Sequence, residues 1–449
     1  MIQRRSPAHP EIPPAAPVAR ANTRCPRSLD LRYQDMQTAI SNGQVTIRPY
    51  EPVDVPLLWK AARESSPEVS MWLPWCHRQY SMEESLEWIV RSGKQWDQKR
   101  EFHFGIFDVA SGTFVGGVGL NELKPQHRSA NLGYWIRTGW TGRGIATVAA
   151  SLAASFGFDE LALNRIEIVV AASNESSQRV ARKLGAKREA VLRHWLLIHG
   201  RVHDAVIFSL IDSEQTHEAI RRSDGPERGR SIEPLIEGRP VERPSMQPEP
   251  IVLRGESVRL EPLHLRHAAG LFAVGQEEKI WRYLSQPKLE GLSDAETFVS
   301  EAMRSAETGT QLPFAIIDQK TSRVAGSTRY LDIRRVERTI EVGSTWLGLD
   351  FQRTRINTEC KYLLLRHAFE VLGAVRLSLK TDERNEQSRR AIERLGAVHE
   401  GVLRKHMVLW DGYIRNTVYY SILDSEWPQV KLRLRGFLGW EMPDSSRGA

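Results

Sequence analysis

The chain has 449 residues, with 62 Lys and Arg against 55 Asp and Glu and a formal charge of +7 at pH 7. That length exceeds one ordinary core and suits two domains, and 41% hydrophobic with 26% charged residues fits a globular chain. No apolar run approaches the ~20 residues of a membrane span, and Arg4 and Arg5 are followed by no apolar stretch of the secretory kind.

A cytoplasmic protein is therefore expected, with no membrane partner. Cys25, Cys76 and Cys360 lie far apart and form no CxxC or Cys/His cluster, so neither a disulfide framework nor a metal site is expected. The basic balance suits a polyanion, whether nucleic acid or cofactor phosphates. Because the basic residues are scattered and not banded along one helix, nucleic acid is not the expected partner.

Residues 1–43 are rich in Pro, Ala and Arg (SPAHPEIPPAAPVARAN) and lack hydrophobic periodicity, which predicts disorder. Met36 is a second candidate start of translation beside Met1. A first domain is expected over 44–215. It opens with a strand (VTIRPY) and a helix (DVPLLWKAARES), then the amphipathic SMEESLEWIVRSGKQW with Ser81 and Glu84 set as a capping box. HFGIFDV and TFVGGVGLNEL read as a hairpin, ANLGYWI as a strand and TVAASLAASFGFDEL as a helix. The β-branched RIEIVVAA, a helix ending on Gly185 and the strand AVIFSLI complete the domain. Residues 216–250 are polar and dense in Pro and Gly, as a flexible linker is.

Beyond residue 250 the motifs of the first domain recur. NESSQRVARKLGAKREAVLR (174–193) matches NEQSRRAIERLGAVHEGVLR (385–404) at a constant offset, and VTIRPYEPVDVPLLW (45–59) matches VRLEPLHLRHAAGLF (258–272). Motifs in the same order at nearly the same spacing indicate a duplicated domain, here 251–430, with a tail over 431–449.

The chemistry is concentrated after the strand NLGYWI. Thr141-Gly142-Arg143-Gly144-Ile145-Ala146 runs directly into a helix. Such a turn presents backbone N–H groups and the positive end of the helix dipole to a pyrophosphate. About thirty residues later a strand ends on Asn174, and an N-x-x-S helix ending in Leu-Gly-Ala comes next.

This combination resembles the GNAT superfamily, in which Q/R-x-x-G-x-G/A meets the coenzyme A pyrophosphate and N-x-x-(A/S) opens the next helix. The motifs look most like those of the Rim-type ribosomal-protein N-acetyltransferases. The resemblance implies an α/β (α+β) fold: two tandem GNAT-like domains, each a mixed, mainly antiparallel central sheet flanked by helices. It also implies acetyl-CoA as co-substrate and an amine acceptor, either a protein N-terminus or a small molecule.

Copy one departs at Thr141, where the family has Gln or Arg. Copy two keeps Gln352 but continues Arg353-Thr354-Arg355-Ile356-Asn357, with Arg355 and Asn357 where small residues are expected. A backbone cradle survives such residues only at negative φ; Arg355 then either adds a charge-assisted contact or blocks the site. By match, Asn174 and Asn385 complete the two cofactor sites, and the backbone N–H groups of Ile136 and Leu347 supply the oxyanion donor.

The resemblance leaves two catalytic roles open. A Tyr that many relatives use to protonate the thiolate is replaced by Ala181 and Ile392, so Ser177 and Ser388 become the candidate acids, with N-terminal capping as the alternative role. For the base, Glu341 stands on EVGSTW opposite Asn131 of copy one, and His194 and His406 are further candidates for a relay. Trp72-Leu-Pro-Trp75-Cys-His77 occupies the expected acceptor loop, with core packing as the alternative; Trp281, Tyr283 and Leu284 are its counterparts. An acyl-CoA-binding regulatory or scaffold protein with one or both copies silent is the competing reading. The sequence does not set the oligomeric state.

Overall fold

The apolar alternation of residues 45–49 becomes a strand whose Val45 and Ile47 are fully buried while Thr46 and Arg48 face outward. In this computed structural model the described residues are 39–212, 239–240 and 245–440. The expected disorder over 1–38 and most of the expected linker lie outside them.

Copy one runs β1 (Ile40–Ser41), β2 (Val45–Pro49), α1 (Val55–Val69), α2 (Met82–Asp97), β3 (Phe102–Asp108), β4 (Phe114–Lys124), β5 (Ser129–Ile136) and α3 (Ile145–Asp159). It closes with β6 (Arg165–Ala171), α4 (Glu175–Lys183), β7 (Lys187–Ile198) and β8 (Arg201–Ile211). The short β9 (Arg239–Pro240) pairs with the start of β8. Copy two repeats the order as β10 (Leu253–Arg254), β11 (Val258–Pro262), α5 (Ala268–Val274), α6 (Glu278–Trp281), α7 (Leu292–Glu307), β12 (Leu312–Asp318), β13 (Val324–Arg334) and β14 (Thr339–Leu347). Then come α8 (Arg355–Arg366), β15 (Arg376–Asp382), α9 (Glu386–Leu395), β16 (Val398–Val408), β17 (Ile414–Leu423) and α10 (Trp427–Leu438).

Strands β1 and β2 pair antiparallel, as do β2 with β3, β3 with β4 and β4 with β5; β5 pairs parallel with β6, and β6, β8 and β7 continue antiparallel. The parallel contact is short. It holds at Ser129↔Arg165, Ala130↔Ile166 and Asn131↔Glu167, and from there the two strands have no further pairing. Copy two has the same three-residue contact at Thr339↔Arg376, Ile340↔Leu377 and Glu341↔Ser378. Each sheet is thus mixed, mainly antiparallel and flanked by helices.

The two sheets join at an antiparallel contact, Gly401↔Ala190, between β16 and β7. Beside it Glu189 accepts from Arg165 of its own copy and, across the seam, from Arg404, while Glu400 accepts from Arg376 of its own copy and, across the seam, from the Arg193 backbone. These two clusters are counterparts under the internal repeat. Leu192, Ile207, Leu403 and Tyr419 pack between them.

Three boundaries differ from the sequence expectation. Strand β1 lies inside the segment expected to be disordered, paired with β2. Met246, in the expected linker, is 1% exposed in the core of copy two. The expected tail begins within α10, which crosses residue 430 and lays Trp427, Leu434 and Leu438 against copy two. In each case a few apolar residues dock, although the segment's average composition is polar. Among the described residues no helix is long and apolar enough to cross a membrane, and no group of His, Cys, Asp and Glu could hold a metal ion.

Candidate functional site

In copy one the turn before α3 has Gly142 at φ +76° and Gly144 at φ +78°, the left-handed region that favours glycine. Gly144 is the N-cap of α3, and no side chain caps the helix. The first-turn N–H groups therefore face outward without a side-chain acceptor, beside exposed Arg143. Arg143 stacks on Trp140 at 4.5 Å, and the Thr141 hydroxyl donates to the Thr138 carbonyl, so neither side chain fills the turn. Ile136, at the end of β5, and Ala146, in the first turn of α3, flank the same opening.

Asn174 caps α4, accepting from the Ser177 N–H at 3.1 Å. The Ser177 hydroxyl is thereby left for another partner, the Tyr134 hydroxyl at 3.0 Å. Tyr134 projects from β5 to α4 beyond the last paired residues, spanning the gap between β5 and β6. Burial pushes its phenol up to about 12, so the group stays protonated. Tyr134 is legible in the sequence only as part of NLGYWI; its partner becomes visible in three dimensions.

Beside Tyr134 opens a cavity of about 580 Å³ between α1, α2 and the β3–β5 sheet. Tyr50, Trp75, Tyr80, Trp88 and Trp135 line it, with Glu84 and Glu87 contributed by α2. Trp75, from the expected acceptor loop, is 39% exposed and meets Trp135 edge-on at 5.6 Å. Its neighbour Cys76 is fully buried, with its thiol pushed up to about 12 by desolvation. Gly117, Gly119 and Gly133 form the floor.

Copy two has the same elements in a different state. Arg353, the counterpart of Gly142, adopts φ +60° despite its side chain. Helix α8 begins at Arg355, and Thr354 caps it by accepting from the Ile356 N–H at 3.3 Å. Gln352 donates to the Leu347 carbonyl at 2.9 Å, and Asn357 lies inside the helix. Helix α10 runs along α8: Trp427 stacks on Phe369, just past the end of α8, and Trp440, just past the end of α10, is set edge-on to Tyr362. Asn385 caps α9 through the Ser388 N–H, as in copy one, but β14 carries Ser344 and Thr345 in place of the tyrosine.

Side chains occupy the part of copy two that corresponds to the copy-one cavity. Trp281, 1% exposed, packs on Trp346 at 4.8 Å between centroids. Arg329 replaces Gly119 and lies over Phe298 at 4.9 Å. Glu341 is 4% exposed and pairs with Lys380 at 2.9 Å. His406 is packed at the seam between the copies, where burial and Lys380, Arg165, Lys124 and Arg415 hold it far below its ordinary value. Neither His406 nor His194 lines the copy-one cavity.

The model of the acetyltransferase (GNAT) domain matches residues 44–187 and again 257–398, together more than half of the chain. The chain belongs to the GNAT acetyltransferase family. It is an acyltransferase with two such domains in tandem. Among curated proteins, YdaF of Bacillus subtilis, named provisionally as a ribosomal N-acetyltransferase, is 31% identical over 180 residues, 40% of this chain and 97% of its own. The spermidine N(1)-acetyltransferase of Escherichia coli is 32% identical over 131 residues, 28% of this chain and 69% of its own. Among solved structures, a GCN5-related N-acetyltransferase from Brucella melitensis is 33% identical, with a TM-score of 0.42, covering 46% of this chain and 93% of that one. In this GNAT chain the repeat is preserved in the backbone, and the two sites differ in what fills them.

Proposed function

We propose that copy one transfers an acetyl group from acetyl-CoA to a primary amine, and that copy two supports it without turnover. The observation that carries this reading is the pair of helix N-termini: α3 is uncapped behind two glycines, and α8 is capped by its own Thr354. An uncapped N-terminus offers its donors and dipole to a pyrophosphate, whereas a capped one has already satisfied a donor. Gly142, Arg143, Gly144, Ile145 and Ala146 then hold the phosphates, and the β5 backbone at Ile136 faces the thioester oxygen.

In this reading the amine enters the aromatic cavity and attacks the thioester carbonyl. As the C–S bond breaks, the thiolate takes a proton from the Tyr134 hydroxyl, which Ser177 orients at 3.0 Å. Glu341, Ser388 and the turn at Gln352–Asn357 have no catalytic part, because Glu341 is committed to Lys380 and Ser388 has no tyrosine beside it. The relatives named for spermidine and ribosomal acetylation support an amine acceptor.

Titration calorimetry of the full chain with acetyl-CoA tests the assignment. One site per chain, abolished by Gly144→Glu and retained in Thr354→Ala, is expected. Two sites, or binding that survives Gly144→Glu, would overturn it.

A further inference from the structure

His103 is 8% exposed and lies on β3 in the wall of the copy-one cavity. The transfer chemistry assigned to Tyr134 and Ser177 leaves it without a role. Its Nε2 is 2.9 Å from Glu101 Oε2. A carboxylate accepts only from an N–H, so this bond fixes the proton on Nε2 and leaves a lone pair on Nδ1. The position of Nδ1 is set by the sheet. His103 pairs with Gly119 on β4, and Gly119 pairs with Gly133 on β5. A Cβ at Gly119 would stand 2.5 Å from Nδ1, so the ring lies over that glycine, and His103, Gly119 and Gly133 all line the cavity. The Trp88 ring packs on the imidazole at 4.8 Å, and the Trp96 indole holds the His103 carbonyl at 2.9 Å.

Copy two supplies an internal control. There the register pair equivalent to His103↔Gly119 is Pro313↔Arg329. The imidazole and the glycine beneath it are both missing from copy two, where side chains occupy the corresponding part.

We propose that His103, held by Glu101, is the general base of copy one and takes the proton of the attacking amine at Nδ1, directly or over one water. This rests on the reading of copy one as the working acetyltransferase. The amine nitrogen forms its bond to the carbonyl carbon, the C–S bond breaks, the nitrogen's proton passes to Nδ1, and the thiolate is protonated from Tyr134. Solvent then returns both groups to their starting states, and the products are amide and free thiol.

The charge environment agrees with that role. Burial lowers the His103 value, and Glu101 partly offsets the effect. Arg91 on α2 lowers it further, while Glu84 and Glu87 on that helix, Tyr50, Tyr80 and Tyr134 complete the surroundings. The imidazole is therefore neutral and able to accept at pH 7.

The experiment follows thiol release from acetyl-CoA by the full chain with 2-phenylethylamine and with spermidine as acceptors, over a pH series from acid to alkaline. For the unmodified protein, kcat/KM falls as pH drops through the His103 value, below the ordinary 6.5. His103→Gln and His103→Asn are expected to lower kcat/KM about 10²-fold near pH 7. The deficit should shrink as pH rises toward the amine's own pKa, with acetyl-CoA binding unchanged. Glu101→Gln should move the acid limb. A wild-type pH profile in both His103 variants, or an equal loss at every pH, would overturn the base assignment and leave copy one as the working domain. No turnover of either amine by the unmodified chain, or turnover surviving Gly144→Glu, would overturn the parent reading and this proposal with it.

Discussion

Glu400 is the group whose removal should be most costly at the seam. Its side chain is 1% exposed, and it accepts from Arg376 Nη1 and Nη2 at 2.6 Å each, from the Ser421 hydroxyl at 2.8 Å and from the Arg193 N–H at 2.8 Å. Arg376 is 0% exposed, so solvent does not replace that carboxylate when it is lost. Breaking one side of such a pair costs about 3–5 kcal/mol, mostly from the uncompensated charge left behind. Glu400→Ala should therefore lower the thermal midpoint by roughly 6–20 °C, taking about 2–4 °C per kcal/mol for a unit of 150–250 residues. The mirror variant Glu189→Ala should cost a similar amount, because Arg165 is equally buried. Replacing both partners, as in Arg376→Met with Glu400→Met, should recover most of the loss, since apolar side chains leave no orphaned charge. Urea unfolding monitored by tryptophan fluorescence and far-UV circular dichroism measures all three. A cost below about 1 kcal/mol for Glu400→Ala, or a double variant no better than the single one, would refute the reasoning.

Tyr134→Phe removes the proposed thiolate donor while keeping its ring, and should lower kcat about 10²- to 10⁴-fold with acetyl-CoA affinity intact. Because the donor is lost only as pH rises through a value near 12, the unmodified rate should show no basic limb from this group up to about pH 10; a limb that vanishes in Tyr134→Phe would contradict this. Gly119→Arg transplants the copy-two residue and should raise the acceptor KM by at least tenfold without affecting acetyl-CoA binding. Steady-state kinetics at saturating acetyl-CoA would expose an unchanged acceptor KM.

The duplication was legible because identical local needs recur in the same order at nearly the same spacing. The Ser81–Glu84 capping box formed as spelled, whereas both N-x-x-S helices are capped by the asparagine and not by the serine that the sequence offered for that role. The β3–β4 hairpin also formed where the sequence placed it. Features that depend on distant contacts were not legible. Nothing in HFGIFDV shows that Gly119 leaves room for the His103 ring, and nothing in NLGYWI shows that Tyr134 meets Ser177 43 residues away. Arg353 is a different case. The turn of copy two keeps a left-handed residue without glycine, so the surrounding fold imposes the conformation against the local preference. The second half of helix α10 reads as tail because its sequence is rich in Arg and Lys, and only its apolar stripe of Trp427, Val430, Leu434 and Leu438 docks.

The seam has an evolutionary consequence. In a symmetric dimer of identical chains, any substitution appears on both sides of the axis, so a change that closes one acceptor site closes the other. Here the two sides are encoded separately within one chain and joined through β7 and β16. Pro313, Arg329 and Thr354 occupy one half, and His103, Gly119 and Arg143 stand at the matching positions of the other. Covalent linkage has freed each half from the other's mutations, and the matched clusters around Glu189 and Glu400 hold them together while their sites diverge.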